Sequence, residues 1–324
     1  MRTLLPLATA FAVVAGMALA DPLPSWEDGA SKTAIVTFVE NVTDPTSDSF
    51  VPEASRIATF DNDGTLWAEK PVYFQFLFAI DRLKEMAKAD PSVLSSDVLK
   101  AAADGDMKTV AASGEKGLLE IIGVTHSGMS VDDFDADAKT WLATAEHPQK
   151  HMPITSMTYQ PMLELLTYLR DEGFRTYIVS GGGMDFIRSF SDDAYNIPAS
   201  QVVGSMGNYE YSVKDGTPQI DKTPGLFFND DKTGKPLGIQ ARIGQRPILA
   251  VGNSDGDFEM LQWTTAGDGQ RLGMIVHHTD ADREWAYDRD SHVGKLDKAL
   301  DAAPDEGWIV VDMKNDWKRI WSGK

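Results

Sequence analysis

Ile57-Ala58-Thr59-Phe60-Asp61-Asn62-Asp63-Gly64-Thr65-Leu66 is the stretch from which the rest of the chain can be read. The run from Ile57 to Phe60 has the character of a buried β-strand. It ends on two aspartates separated by one residue. Gly64 then lets the chain turn away, and Thr65 offers a hydroxyl. Ligands of open α/β sheets bind beyond the carboxyl ends of the strands, which puts Asp61 and Asp63 at the mouth of a site. Two carboxylates this close need a cation, or one of them must hold a proton. A calcium loop of the EF-hand kind fails on spacing, because Gly64 comes too early and Val72 stands where the bidentate Glu belongs. An ordinary acidic turn is the alternative, and the rest of the chain decides between them.

Working outward, Ser31 to Val42 predicts a short helix with Ile35, Val36 and Val39 on one face, followed by a polar loop to Pro52. After Trp67 the pattern is helical through Pro148, with helices expected from Pro71 to Ala89, Ser92 to Ala103, Lys116 to Ile122 and Val131 to Ala145. No strand pattern interrupts this block. Met162, Leu165, Leu166 and Leu169 then mark an amphipathic helix over Gln160 to Glu172, which Gly173 ends. Phe174 to Val179 is a strand running into Ser180-Gly181-Gly182-Gly183. Gln201 to Val213 and Gln219 to Asp221 read as strands of a β-hairpin flap. Lys235 opens a helix to about Ile243. Pro247 to Val251 is a strand running into Gly252-Asn253-Ser254-Asp255-Gly256-Asp257. Leu272 to Val276 is a further strand, with closing helices expected at Leu296 to Leu300 and Trp317 to Trp321.

Three strands therefore end on polar, glycine-containing turns, each followed by a helical stretch. Right-handed crossovers make such strands parallel and put their carboxyl ends on one edge. Asp61 and Asp63, then Ser180 with its glycines, then Asn253, Asp255 and Asp257 are gathered there by topology. An α/β fold follows, with a Rossmann-like parallel sheet, helices on both faces and an inserted all-helical cap. The expected division is 1–20 as a signal peptide, 21–66 with 157–324 as the core, and 67–156 as the cap.

The order D-x-D-G-T, S-G-G, Lys, G-N-x-x-x-D resembles the four motifs of the haloacid dehalogenase-like hydrolases, mostly phosphatases. The helical block before Ser180 resembles the cap of their phosphoserine-phosphatase-like branch. The resemblance implies a Mg2+-dependent phosphomonoester hydrolase working through an aspartyl-phosphate. Asp61 resembles the nucleophile and Asp63 the acid/base. Ser180, Gly181, Gly182 and Thr65 are the implied phosphate ligands, with Lys235 as the motif-three lysine that neutralises phosphate charge. Lys222 and Lys232 lie nearby, and Lys235 is favoured because it opens the helix leading into the last catalytic strand. Asp61, the backbone carbonyl of Asp63, Asn253 and Asp257 are the implied metal-site residues. The chain departs from the family at Asn253, where Asp is usual; Asp255 is then an alternate ligand beside Asp257.

A dehalogenase on the same fold is the second reading, and Asp63 argues against it, since halide displacement needs no acid there. The third is a non-enzymatic periplasmic binder of divalent cations. A small phosphorylated metabolite, phosphoserine- or phosphorylcholine-like, is the expected substrate. Trp67, Glu69, Tyr73 and Phe74 would suit a quaternary ammonium, although Phe74, Leu77 and Phe78 also have the spacing of a helical core. His277-His278 ends a strand and reads as structural or at the rim of the site.

Arg2, an apolar stretch from Leu4 to Ala15 and Ala18-Leu19-Ala20 have the form of a secretory signal, so the mature chain begins at Asp21 in the periplasm or outside the cell. The chain has no cysteine, which excludes a lipoprotein anchor, disulfides and thiolate chemistry. Its formal net charge is -19, and removing Arg2 with the signal makes it -20. That balance argues against nucleic acid and anionic membranes as partners.

Overall fold

Short apolar runs bounded by turn residues become the strands of one sheet, and the amphipathic stretches between them become its helical layers. The computed structural model describes residues 20–323. The expected signal peptide, except for Ala20, lies outside the described residues. In chain order the strands are β1 (Ile57–Phe60), β2 (Met129–Ser130), β3 (Arg175–Gly183), β4 (Val202–Lys214), β5 (Thr217–Phe228), β6 (Leu249–Gly252), β7 (Leu272–His277) and β8 (Ile309–Asp312). They lie in the order β2-β5-β4-β3-β1-β6-β7-β8. From β4 to β8 every neighbouring pair is parallel, while β5 and β2 are antiparallel to their neighbours.

The three strands expected to carry the site are adjacent at the centre, with β1 between β3 and β6. Phe60 stands beside Ile178 and Val251. Residues of each strand alternate between two buried layers. Ala58, Phe60, Leu249, Val251, Met274 and Val276 pack with the Ala30–Thr43 and Gln160–Asp171 helices. Ala250 and Ile275 face Ile239, Met260, Leu261 and Ala299 on the other side. Burial on both faces is why these strands read as continuous apolar runs.

Between β1 and the Gln160–Asp171 helix the chain forms five α-helices, Phe74–Ala89, Asp97–Asp104, Met107–Ala112, Gly114–Thr125 and Val131–Leu142. They carry a core of their own, including Phe76, Ile80, Leu83, Leu99 and Ile121. Phe78 joins this block to the main layer by stacking on Phe186 at 5.4 Å.

Two departures from the sequence reading concern the insert and the C-terminus. The insert is helical except for β2, whose Met129 and Ser130 pair with Lys222 and Asp221 of the long β4–β5 hairpin. A two-residue strand has no periodicity of its own, and an exposed hairpin edge recruits it. Trp317 to Trp321 is extended rather than helical, and the terminal helix is Met313–Asp316. Trp317 bridges to Trp26 and Trp321 to Tyr159, so aromatic packing sets the path of the chain there.

Candidate active site

The first turn is fixed from several directions. The Asp61 amide donates to Val251 O at 2.9 Å, tying the end of β1 to β6. Asn62, between the two aspartates, is buried, and its carbonyl accepts from Leu66 N at 2.8 Å. Its side-chain oxygen accepts from Tyr195 Oη at 3.1 Å. Gly64 sits at φ 74°, where a Cβ would collide with Asn253 and Glu69. Only glycine satisfies both the left-handed backbone and the close approach. Behind the turn, His278 Nε2 donates to Gly64 O at 2.8 Å, its ring stacks on Tyr287, and Glu284 faces its other nitrogen.

Lys235 is the lysine of the site. Its ammonium is 2 % exposed and donates to Asp61 Oδ1 at 2.7 Å, Asp257 Oδ1 at 2.6 Å and Val179 O at 2.8 Å. Burial alone would lower its pKa, but Asp257 and Asp61 outweigh that and hold it above the usual lysine range. Its three hydrogens are all engaged, so it can act on a bound group only through its charge and through Asp61, not by a hydrogen bond of its own. The alternatives are placed elsewhere. Lys222 pairs with Asp185, and Lys232 is exposed.

The carboxylates differ in their surroundings. Burial, followed by the charge of Asp257, raises the Asp61 pKa well above the usual range despite Lys235. Burial raises Asp63 to about 6, against the hydrogen bonds of Trp67 and Asn62. The Trp67 indole donates to Asp63 Oδ1 at 2.8 Å and so orients it. A carboxyl that titrates near 6 holds or releases a proton close to neutral pH, as an acid/base requires.

Ser180 and the glycines after it form the facing wall. The Ser180 hydroxyl accepts from Gly182 N at 3.0 Å, which bends the loop. A Cβ on Gly182 would lie 3.5 Å from Asp63 Oδ2, so the loop closes directly over the acid.

Other expected residues have bracing positions. Thr65 is buried, its hydroxyl donates to Asn253 Oδ1 at 3.2 Å, and it does not line the cavity. Asp257 gives Oδ1 to Lys235 and takes Asn253 N and Ser254 N on Oδ2 at 2.9 and 3.0 Å. With both oxygens committed, it supports the turn from behind and is not itself aimed at a cation. Asp255 caps the distant Lys298–Glu306 helix, accepting from Asp297 N and Ala299 N.

The donors left for a cation are the Asp61 carboxylate, the Asp63 carbonyl and the second lone pair of Asn253 Oδ1, whose first takes the Thr65 hydroxyl. Among the described residues, neither Asp61 Oδ2 nor the Asp63 carbonyl has a hydrogen-bond partner. Nor do three His, Asp or Glu side chains converge as metal ligands among the described residues, so a cation would be held by a mixed oxygen set. That set fits Mg2+, a hard ion that takes few protein carboxylates and keeps waters. Charge balance points the same way. Four carboxylates, Asp61, Asp63, Glu69 and Asp257, share the site with one buried ammonium, which contacts Asp61 and Asp257. Glu69 accepts from Asn253 Nδ2 at 2.7 Å, where the neutral Asn253 avoids a clash of two anions that Asp would create.

A cavity of about 530 Å³ opens from these groups. Asp61, Asp63, Ser180, Gly181, Gly182 and Lys235 line its floor, and side chains of the helical insert line its roof. Trp67 and Phe74 are absent from it. Trp67 stacks on Phe190 at 4.3 Å and Phe74 is fully buried, so the two do not form an aromatic cage. Glu69 and Tyr73 do reach the cavity. Sequence reasoning missed Gln75, whose Oε1 accepts from Gly183 N at 2.7 Å. It also gave no role to Tyr287, whose hydroxyl donates to Glu69 at 2.8 Å.

The sequence model for haloacid dehalogenase-like hydrolases matches residues 58–262. No curated protein matches the chain. Among solved structures, the chain is similar to a conserved protein of unknown function from Anaerococcus prevotii, with 16% identity, TM-score 0.52, and 79% of this chain and 87% of that one covered. A protein of unknown function from Bordetella pertussis gives 14% identity and TM-score 0.49 over 80% and 99% of the two chains. A phosphoserine phosphohydrolase-like protein from Francisella tularensis gives 15% and 0.36 over 68% and 87%. The first of these likenesses extends to the fold alone.

Proposed function

The chain belongs to the haloacid dehalogenase-like hydrolases, and from that premise we propose that it is a Mg2+-dependent phosphomonoesterase acting outside the cytoplasm. The observation that carries this reading is the buried Lys235–Asp61 pair, at 2.7 Å, on the floor of a cavity shared with Asp63 and the Ser180 loop.

Asp61 attacks phosphorus through its free Oδ2, and the bond from phosphorus to the ester oxygen breaks. Asp63 gives its proton to the departing oxygen, so an alcohol leaves and an aspartyl-phosphate remains. Asp63, now ionised, takes a proton from water as that water attacks phosphorus. Inorganic phosphate leaves and Asp61 is restored. The Ser180 hydroxyl, free to donate while it accepts from Gly182 N, and the Gly181 amide at the end of β3 bind phosphoryl oxygens. Lys235 holds Asp61 in place and offsets the charge that builds in the transition state. Mg2+, when bound by Asp61, the Asp63 carbonyl and Asn253, supplies Lewis-acid polarisation of the phosphoryl group. The insert, residues 67–156, serves as the cap that excludes water.

Residues 1–20 serve as the export signal in this reading. Among the described residues no helix is long and apolar enough to cross a membrane. Protein recovered from the periplasm or culture fluid should begin at Asp21, and intact Met1 in the membrane fraction would indicate a retained anchor instead. For the activity, purified mature protein should release phosphate from a nitrophenyl ester with Mg2+, and EDTA should stop it. Undiminished turnover in chelated buffer would remove the metal from the reading, and no turnover of any phosphate ester would remove the reading itself.

A further inference from the structure

The cavity changes character with distance from Asp61. Its far wall is built by Phe76, Leu118, Leu119, Ile122, Phe134 and Leu226. Leu118, Leu119 and Leu226 are 37%, 43% and 44% exposed, and a single leucine so exposed would be ordinary. They lie together at the mouth of one concavity, which separates them from singly scattered surface leucines.

The ionisable groups in the same wall are already satisfied by one another. The Lys222 ammonium pairs with Asp185 and lies 4.5 Å from the Phe134 ring centre. Tyr209 Oη donates to both Asp185 oxygens, at 2.8 and 2.9 Å. His126 sits between Thr125 Oγ1 at 2.8 Å and Gln75 Nε2 at 3.2 Å. Burial, with Lys222 and Arg82 nearby, lowers its pKa to about 3, which favours the neutral ring near pH 7. The other carboxylates of the cavity outside the Asp61–Asp63 turn, Glu69 and Asp231, lie on the floor beside Asn253 and Gly181, so within this wall an ammonium or carboxylate on a leaving group would have to break the buried Lys222–Asp185 pair to find a partner.

We infer that the phosphate ester taken by this site carries an uncharged, apolar leaving group, seated between the helical insert and the β4–β5 hairpin. The inference rests on the phosphomonoesterase reading above and narrows it, turning away from the zwitterionic and quaternary-ammonium substrates considered from sequence. A cavity of this volume holds the phosphoryl group and an alcohol of medium size.

The test is a series of alkyl phosphates whose leaving alcohols have similar acidity, so that chemistry is constant and only burial changes. Ethyl, butyl and hexyl phosphate are compared with glycerol 3-phosphate and O-phosphoserine. We expect kcat/KM to rise about tenfold for every two methylenes added, with hexyl phosphate well above both polar esters. Leu119→Lys, at an exposed position where the fold tolerates it, should cut the hexyl-to-ethyl ratio at least fivefold. A flat alkyl series, or O-phosphoserine ranking first, overturns the inference and leaves the phosphatase reading standing. Binding of hexylphosphonate and methylphosphonate, measured by calorimetry, separates the two failures. If nothing is hydrolysed but hexylphosphonate binds about a hundredfold tighter, the phosphatase reading falls and the apolar site stands. If nothing is hydrolysed and the two bind equally, both fall.

Discussion

The floor and the roof of the cavity are made by opposite rules. On the floor each polar side chain is held by a named partner. Asp61 is on Lys235, Asp63 on Trp67, Asn253 on Glu69 and Thr65, and Ser180 on Gly182. The roof is mostly apolar, with leucines that remain partly exposed. Pinned polar groups in a dry site are preorganised, which electrostatic catalysis needs. Apolar contacts are non-directional, and a roof made of them can change its preference by changing a side chain. The difference teaches where chemistry is fixed and where selection is free.

The comparison breaks first if the floor does not carry the chemistry. Asp61→Asn should reduce turnover by about 10⁶-fold, the scale seen when a nucleophile is removed. Asp63→Asn keeps the shape and the backbone carbonyl, and should cost about 10² to 10⁴. Its loss should be larger on an alkyl phosphate than on a nitrophenyl ester, whose leaving group needs the proton less. Phosphate release and circular dichroism, measured together, check both variants. Normal turnover by Asp61→Asn would overturn the mechanism, and equal losses on both ester types would remove Asp63 as the acid.

Much of the floor was legible because it is local in sequence. Asp61 to Thr65, Ser180 to Gly183 and Asn253 to Asp257 each form a contiguous turn after a buried strand, and parallel topology brings the turns together. What the sequence did not reveal depends on long-range partners. His278 reaches Gly64 across 214 positions, and Tyr287 reaches Glu69 across 218. Nothing in a histidine's neighbours along the chain says which carbonyl it will meet. The roles of Asp257 and Asp255 are hidden for the same reason, because an acidic run looks alike whether it faces a cation, a lysine or a helix end. The roof was legible only as helices. Which of its side chains look into a cavity depends on how the insert docks.

A second measurement sharpens the comparison through stability. His126, in the roof, has a folded pKa of about 3 against an unfolded value near 6.5. Above pH 6.5 it is neutral in both states and contributes no pH dependence. Below 6.5 the unfolded chain takes up a proton that the folded chain refuses, so stability falls as pH falls, by about 1.4 kcal/mol per unit. The wild type should therefore lose ground to His126→Leu between pH 6.5 and 4.5, in urea unfolding at matched salt. A constant difference between the two proteins over that window would mean that His126 is protonated in the fold and that the roof is not dry.

The smallest effect concerns the residue that belongs to both surfaces. Gln75 lies in the first turn of the Phe74–Ala89 helix, in the roof, yet its Oε1 accepts from Gly183 N on the floor. A backbone N–H can only donate, so this contact fixes the amide, and Nε2 points at His126 Nε2. That histidine nitrogen must then accept, which puts the ring proton on Nδ1, facing Thr125 Oγ1. The Thr125 hydroxyl in turn donates to Ile121 O at 2.8 Å. Every group in the relay has one consistent role, so Gln75 positions, from the roof side, the loop proposed to bind phosphate. Gln75→Ala removes one hydrogen bond, worth about 1 kcal/mol, and should lower kcat/KM about fivefold, mostly through KM. Because the loop meets the phosphoryl group common to all substrates, the loss should be equal for ethyl and hexyl phosphate. That pattern separates it from Leu119→Lys, which should change the ratio between them. If Gln75→Ala changes the ratio instead, the residue acts on the leaving group, and the boundary between fixed chemistry and free selection lies closer to Gly183 than the hydrogen bonds place it.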